Sequence, residues 1–147
     1  NEEDVKRNWE QLKLKEGKKS VLEGVPASLP ALVKASRIQD KVAGVGFDWE
    51  EPQQVFEKLK EELEELQHEI EADNHKKIEE EFGDVMFSMI NYARFLKVNP
   101  EDALERTNKK FIKRFQYLEE KSKELNKSLK DMTLAEMDVY REEAKKI

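Results

Sequence analysis

Between residues 52 and 96, apolar side chains recur at three- and four-residue spacing on both sides of the short stretch "ADN" at 72–74. Val55, Phe56, Leu59, Leu63, Leu66 and Ile70 share one face before it, and Ile78, Phe82, Val85, Met86, Met89, Ile90, Ala93 and Leu96 follow after it. That period belongs to an amphipathic α-helix, because a strand would alternate every second residue. Two such stripes joined by so short a turn predict an antiparallel helix hairpin. Pro52 fits the first turn of the first helix, where its missing N–H is no loss, and Asp73 or Asn74 can cap the second.

The rest of the chain follows the same rule. Five glycines and four prolines in 147 residues, with 41% of residues charged, leave few turns and long solvated helix faces. The first 19 residues, carrying Trp9, Leu12 and Leu14 among many charges, read as a polar helix or connector, and residues 20–147 as one domain. Pro26 and Pro30 punctuate the entry to a helix carrying Leu32, Val33, Ile38 and Val42. Ser28 or its turn can cap that helix, and Gly44 and Gly46 can end it. Asn99 and Pro100 open a long helix reaching about Leu129, with Ala103, Leu104, Thr107, Phe111, Phe115 and Leu118 facing inward. Thr133 with Glu136 has the spacing of a capping box for a last helix. The fold class is all-α.

Composition removes several functions. A formal net charge of −6 argues against non-specific nucleic-acid binding, which needs lysine and arginine to neutralise phosphates. No apolar run approaches the roughly 20 residues that span a bilayer, and the opening NEEDVKRNWE lacks the apolar segment of a signal peptide. The absence of cysteine excludes disulfides and thiolate metal sites. A cytoplasmic protein without a membrane partner is the expectation.

The hairpin also carries an unusual concentration of carboxylates. Glu65 and Glu81 each stand eight residues from Asp73, and Glu62 and Asp84 each stand eleven away. In two antiparallel helices of equal rise these pairs lie at the same height, about 12 and 16 Å from the turn. Glu62 and Glu65 are i, i+3 neighbours, as are Glu81 and Asp84, so each pair occupies one helix face. Glu62 and Glu81 sit at the edge of their apolar stripes, with Glu65 and Asp84 one step farther out, and Ser88 and Asn91 continue the Asp84 side. Four converging carboxylates repel unless protonated or bridged by cations. An all-oxygen set suits hard ions, chiefly Mg²⁺ or Mn²⁺, and so phosphoryl or nucleotidyl chemistry. The competing reading is a solvated acidic face. Gly83 weighs against it, since glycine inside a helix costs about 1 kcal/mol relative to alanine and would admit a close helix or ligand.

The segment 106–130 is basic by contrast. Lys110 and Arg114 are i, i+4 neighbours, and Arg114 falls within the arc of Thr107, Phe111 and Leu118. An arginine on an apolar stripe serves either a structural salt bridge to the acidic hairpin or a phosphate clamp.

These residues match a known pattern. "EELEE" at 61–65 and "EEFGD" at 80–84 resemble the EExxE…ExxD signature of the MazG nucleoside triphosphate pyrophosphohydrolases. "SLPALVKASRIQDKVAGVGFDW" at 28–49, "NYARFL" at 91–96, "NKKFIKRF" at 108–115 and "TLAEMD" at 133–138 are similar to the same family, and the likeness runs from Leu22 onward. It is closest to the C-terminal domain of the tandem bacterial protein, with residues 1–19 resembling the connector before it. The resemblance implies an all-α bundle that dimerises and hydrolyses a nucleoside triphosphate to monophosphate and pyrophosphate. It implies Glu62, Glu65, Glu81 and Asp84 as Mg²⁺ ligands, with Glu61 a candidate to orient or deprotonate the attacking water. The implied chemistry is in-line attack at the α-phosphorus, the ions neutralising the triphosphate and activating the water. Lys110, Arg114 and Lys145 match phosphate-contacting positions, while Asn91 and Trp49 are candidates for polar contact and for packing on base or sugar. One departure is Arg141, standing where relatives carry a tryptophan on the last helix. An arginine plane or the adjacent Tyr140 could substitute for it.

Two other classes compete. A di-iron carboxylate bundle needs Glu-x-x-His on two helices, and the chain offers Glu65-x-x-His68 but Glu81-x-x-Asp84. A helical interaction module without catalysis would use its carboxylates for solubility and pairing.

Overall fold

The computed structural model describes residues 1–15 and 20–147, with the side chains of residues 10 and 13–15 outside the description. The Leu14 side chain and residues 16–19 of the expected connector therefore lie outside the description. Six α-helices follow in order: α1 (Glu2–Lys15), α2 (Ala31–Gly44), α3 (Pro52–Glu71), α4 (His75–Phe95), α5 (Pro100–Glu124) and α6 (Leu134–Ala144). One 3-10 turn, Leu129–Asp131, precedes α6, and there is no strand among the described residues. The chain divides into two compact units, Asn1–Glu101 and Asp102–Ile147.

In the first unit α3 and α4 form the expected hairpin, α2 packs on α4, and α1 packs on α2. The turn works as its residues dictate. Asp73 takes a left-handed φ of 55°, and the Asn74 side chain accepts from the Lys77 N–H, satisfying one of the amides that the first turn of α4 leaves free. Of the two expected caps, Asn74 is the one used. At the other end Pro52 lies in the first turn of α3, and Glu51 with Gln54 makes a reciprocal capping box that the sequence reading did not anticipate. The entry to α2 differs from expectation. Pro30 is its N-cap, no side chain caps it, and Ser28 plays no part. After α2 ends at Gly44, the positive φ of Gly46, 93°, turns the chain toward α3.

The core of this unit is small: Val55, Leu59 and Ile90 are its buried apolar side chains. The expected burial of the whole α4 stripe is corrected by exposures of 55% at Phe82, 46% at Met86 and 52% at Met89. A hairpin has one seam, and the stripe on α4 is wider than the seam that α3 and α2 cover. Gly83 likewise has no close neighbour. A Cβ built there meets nothing within 4 Å, so no helix among the described residues presses on it.

The second unit holds Leu118, Met132 and Ala144 as its buried apolar residues. α5 stops at Glu124 rather than near Leu129, because Asn126 adopts a left-handed φ of 51° and Ser128 caps the following 3-10 turn. The inward set expected on α5 reduces to Leu118, and Leu104, Phe111 and Phe115 stay exposed. At α6 the Thr133 side chain accepts from the Glu136 N–H as expected. The return half of that capping box is missing. Glu136 instead pairs with Lys127 at 2.8 Å, an ammonium being a stronger partner for a carboxylate than an amide. No helix among the described residues is long and apolar enough to cross a membrane.

Candidate active site

The register set by the turn carries the carboxylates to one place. Carboxylate oxygens of Glu62, Glu81 and Asp84 all lie within 4.8 Å of one another. Glu65, expected as the fourth member, is exposed and stands against Glu81 rather than inside that group. The burial gradient follows the helix wheel: Glu62 is 7% exposed and Glu81 half-buried, whereas Glu65 and Asp84 face solvent.

Two of these oxygens, Glu62 Oε2 and Glu81 Oε2, are buried with no hydrogen-bond partner. Adjacent carboxylates cannot satisfy each other when both are ionised, since neither has a proton to donate. Burial, the Glu65 charge and then the Glu62 carboxylate together raise Glu81 to about 7. Among the described residues the cation paired with this group is Lys58, whose Nζ lies 3.0 Å from Glu62 Oε1 and 3.5 Å from Glu61 Oε2. The Glu62 carboxylate correspondingly raises Lys58. Anionic oxygens with buried, unfilled lone pairs fit a hard divalent cation, which would relieve the repulsion and satisfy the orphaned atoms. No histidine belongs to the group among the described residues, and His68 is exposed, so the di-iron pattern has no support here.

A cleft of about 400 Å³ opens where Lys58, the partner of Glu62, forms part of the wall. Lys58 and Val55 of α3, Gln39 of α2, Phe87 and Asn91 of α4, and Trp49 between α2 and α3 contribute to its lining. Ser88 also lines it, one helical turn beyond Asp84. Its order is set by polar contacts. Gln39 Nε2 donates to the Phe87 carbonyl at 2.9 Å, Arg94 Nε donates to Asn91 Oδ1 at 3.1 Å, and Arg94 Nη1 donates to Asp48 Oδ2 at 3.1 Å. Asn91 and Trp49, the expected candidates for substrate contact, both line this cleft, as does Lys58, the partner of Glu62.

The other expected site residues are distributed differently. Glu61 is exposed and engaged by Lys58. Lys110 is exposed on α5, and Arg114 is half-buried within the second unit, close enough to Glu142 to help lower its pKa behind the larger effect of Lys145. Lys145 pairs with Glu142 at 2.8 Å and Arg141 with Asp138 at 2.8 Å, both along α6, while Tyr140 is half-buried.

Sequence reasoning missed four participants, two of them as a pair. Lys58 was legible as the i−4 neighbour of Glu62, a spacing that brings ammonium and carboxylate together on one helix face. Gln39, 4% exposed, is a polar residue next to Ile38 on a mostly apolar face, which signals a buried amide but not its partner. The Asp48 and Arg94 pair spans 46 residues and left no local trace.

Fold and site together define an all-α protein whose helix hairpin gathers carboxylates able to hold a metal ion next to a ligand-sized cleft. Residues 50–119 match the MazG nucleotide pyrophosphohydrolase domain. The chain is 42% identical over 142 residues to the nucleoside triphosphate pyrophosphohydrolase/pyrophosphatase MazG of Thermotoga maritima, covering 95% of this chain and 54% of that protein. It is 40% identical over 125 residues to the nucleoside triphosphate pyrophosphohydrolase of Escherichia coli K12, covering 81% and 48% respectively. Bacillus subtilis YabN, an uncharacterized protein, is 46% identical over 148 residues, covering 98% of this chain and 30% of that protein. The chain spans about half the length of the first two of these relatives. Residues 50–119 therefore form a MazG nucleotide pyrophosphohydrolase domain.

Proposed function

We propose that the protein hydrolyses nucleoside triphosphates, ribo or deoxy, to the monophosphate and pyrophosphate by water attack at the α-phosphorus. The observation that carries this reading is the convergence of Glu62, Glu81 and Asp84 with two buried carboxylate oxygens left unpartnered. Those three residues, with Glu65 beside Glu81, would hold Mg²⁺, for which Mn²⁺ could substitute. When bound, the ion supplies charge neutralisation for the phosphates and a more acidic water.

The chain's own residues do the rest. Glu61, at the solvent edge of the group, orients or deprotonates water, and Lys110, Arg114 and Lys145 are assigned to the phosphates on the family pattern. Lys58, already among the carboxylates, is a further cation for the triphosphate. Asn91 and Trp49 face the nucleoside from the cleft, and Arg141 takes the place of a stacking tryptophan. A second copy of the chain is the partner, supported by the family likeness and by the uncovered Phe82, Met86 and Met89 on one face of α4.

Pyrophosphate release is measured across the eight common nucleotides with and without Mg²⁺, in ¹⁸O-labelled water. Label in the monophosphate supports attack at the α-phosphorus, and label in pyrophosphate contradicts it. A non-catalytic interaction module would release no pyrophosphate from any of the eight.

A further inference from the structure

Arg94 ties together two parts of the cleft that come from distant stretches of the chain. Its Nε donates to Asn91 Oδ1 at 3.1 Å, while Nη1 and Nη2 donate as a fork to the two carboxylate oxygens of Asp48. Only 24% of the side-chain surface of either Arg94 or Asp48 is exposed. The guanidinium carbon lies 4.8 Å from the centroid of the Phe95 ring, a cation–π contact that steadies the fork.

Each of these bonds constrains a residue that lines the cleft. A guanidinium can only donate, so Asn91 turns its oxygen to Arg94 and keeps both Nδ2–H groups for other use. Asp48 Oδ1 also accepts from the Trp49 backbone N–H at 2.9 Å. The segment carrying Trp49 is fastened at its start by the Phe47 N–H to the Val42 carbonyl, and at its end by the Glu50 and Glu51 N–H groups to Gln54 Oε1. Between those points Asp48 and Arg94 join it to α4. The same pair also lines a second cavity, of about 820 Å³, to which Glu2, Lys6 and Arg7 of α1 contribute. Asp48 and Arg94 are thus a wall common to cleft and cavity.

We infer that Arg94 is a positioning residue for triphosphate binding, acting through Asp48 and Asn91 to hold the Trp49 segment on α4 and the Asn91 amide in one orientation. The inference rests on the proposed triphosphate hydrolysis, in which Asn91 and Trp49 meet the nucleoside. Arginine is needed because one planar group serves Asn91 and both Asp48 oxygens at once. A lysine ammonium keeps the charge and loses that geometry. The competing role is an ion pair that supports the fold alone, and Arg94→Lys separates the two.

Pyrophosphate release from ATP gives kcat and KM, and calorimetry with α,β-methylene ATP and Mg²⁺ gives a dissociation constant independent of turnover. Arg94→Lys should raise KM and that dissociation constant about tenfold and leave kcat within about threefold, because the weakened contacts are made alike to substrate and transition state. In an Asn91→Ala background the same change should raise the dissociation constant by only about threefold, since members of one hydrogen-bond network are not additive. With Trp9→Phe, Trp49 is the only tryptophan left. There Arg94→Lys should shift the emission of the nucleotide-free protein to the red and increase its quenching by acrylamide. A lowered unfolding midpoint with KM, dissociation constant and Trp49 emission unchanged means an ion pair that supports the fold alone, and overturns the inference. A loss confined to kcat overturns it too. Weaker analogue binding by Arg94→Lys, with no pyrophosphate released by wild type, would sink the hydrolysis reading alone. Release by wild type with KM and analogue affinity unmoved by Arg94→Lys would sink the positioning role alone.

Discussion

The α3–α4 hairpin and the α5–α6 unit draw on the same charged alphabet and dispose of it in opposite ways. On α5, α6 and the turn between them, charges are paired off locally: Lys121 with Glu124, Arg141 with Asp138, Lys145 with Glu142, and Lys127 with Glu136. Most of these groups are exposed, and each carboxylate has an ammonium or guanidinium within reach. In the hairpin, Glu62 is buried, Glu81 is raised toward neutrality by burial and its acidic neighbours, and two carboxylate oxygens have no partner. A charge-rich helix face therefore means little by itself. What separates a solvated surface from a site is whether the charges are desolvated and left uncompensated.

The comparison breaks most decisively at the ligands. Glu62→Gln combined with Asp84→Asn should lower Mg²⁺-dependent pyrophosphate release by at least about a hundredfold, while circular dichroism stays helical because repulsion has been relieved. Release at the wild-type rate would reduce the hairpin to an acidic surface like that of α6.

Next in size is Lys58→Met. It leaves Glu62 without its cation at 3.0 Å and should destabilise the metal-free protein by roughly 1–2 kcal/mol, less than a fully buried pair because Lys58 keeps partial access to water. Urea denaturation would show the loss in EDTA and its recovery in Mg²⁺. A loss that Mg²⁺ does not repair would mean that Lys58 supports packing rather than charge.

The pH dependence sharpens the contrast further. Glu81 is raised to about 7 from an ordinary value of 4.5, so the folded state holds a proton that the unfolded chain releases. Its contribution to metal-free stability is fully present below about 4.5 and is lost as pH rises through about 7. Metal binding must displace that proton. Calorimetry in two buffers of different ionisation enthalpy should find close to one proton released at pH 6 and close to none at pH 8.

Gly83→Ala should stabilise the chain by about 1 kcal/mol, since an added Cβ meets nothing within 4 Å. If a second copy covers this face of α4, sedimentation will show weaker association in the same variant. Smallest of all is Glu124→Gln, which removes an exposed pair with Lys121 and should leave thermal unfolding unchanged within about 2 °C.

Much of the site was legible before any coordinates. Counting outward from Asp73 paired the right heights, because equal helical rise converts sequence distance into position. The wheel positions of Glu62 and Glu81 at the stripe edge anticipated their burial, and those of Glu65 and Asp84 their exposure. What failed was the extent of burial along α4 and α5. A stripe records that a helix has an apolar face, not how many neighbours cover it, so Phe82, Met89 and Phe111 read as core and stand exposed. Gly83 was read as room for a neighbour that the chain itself does not supply.

The sequence by itself determined the helices, the hairpin turn and the register of the carboxylates, because these depend on local periodicity and on residues close along the chain. Only the tertiary structure decided that Glu62 Oε2 stays buried and empty beside the Lys58 pair, that Gln39 reaches across to Phe87 with its oxygen to spare, and that Asp48 finds Arg94. The last two join residues more than 40 positions apart. The Lys58 contact was written in its i, i+4 spacing, but how far it satisfies Glu62 depends on the desolvation that packing imposes.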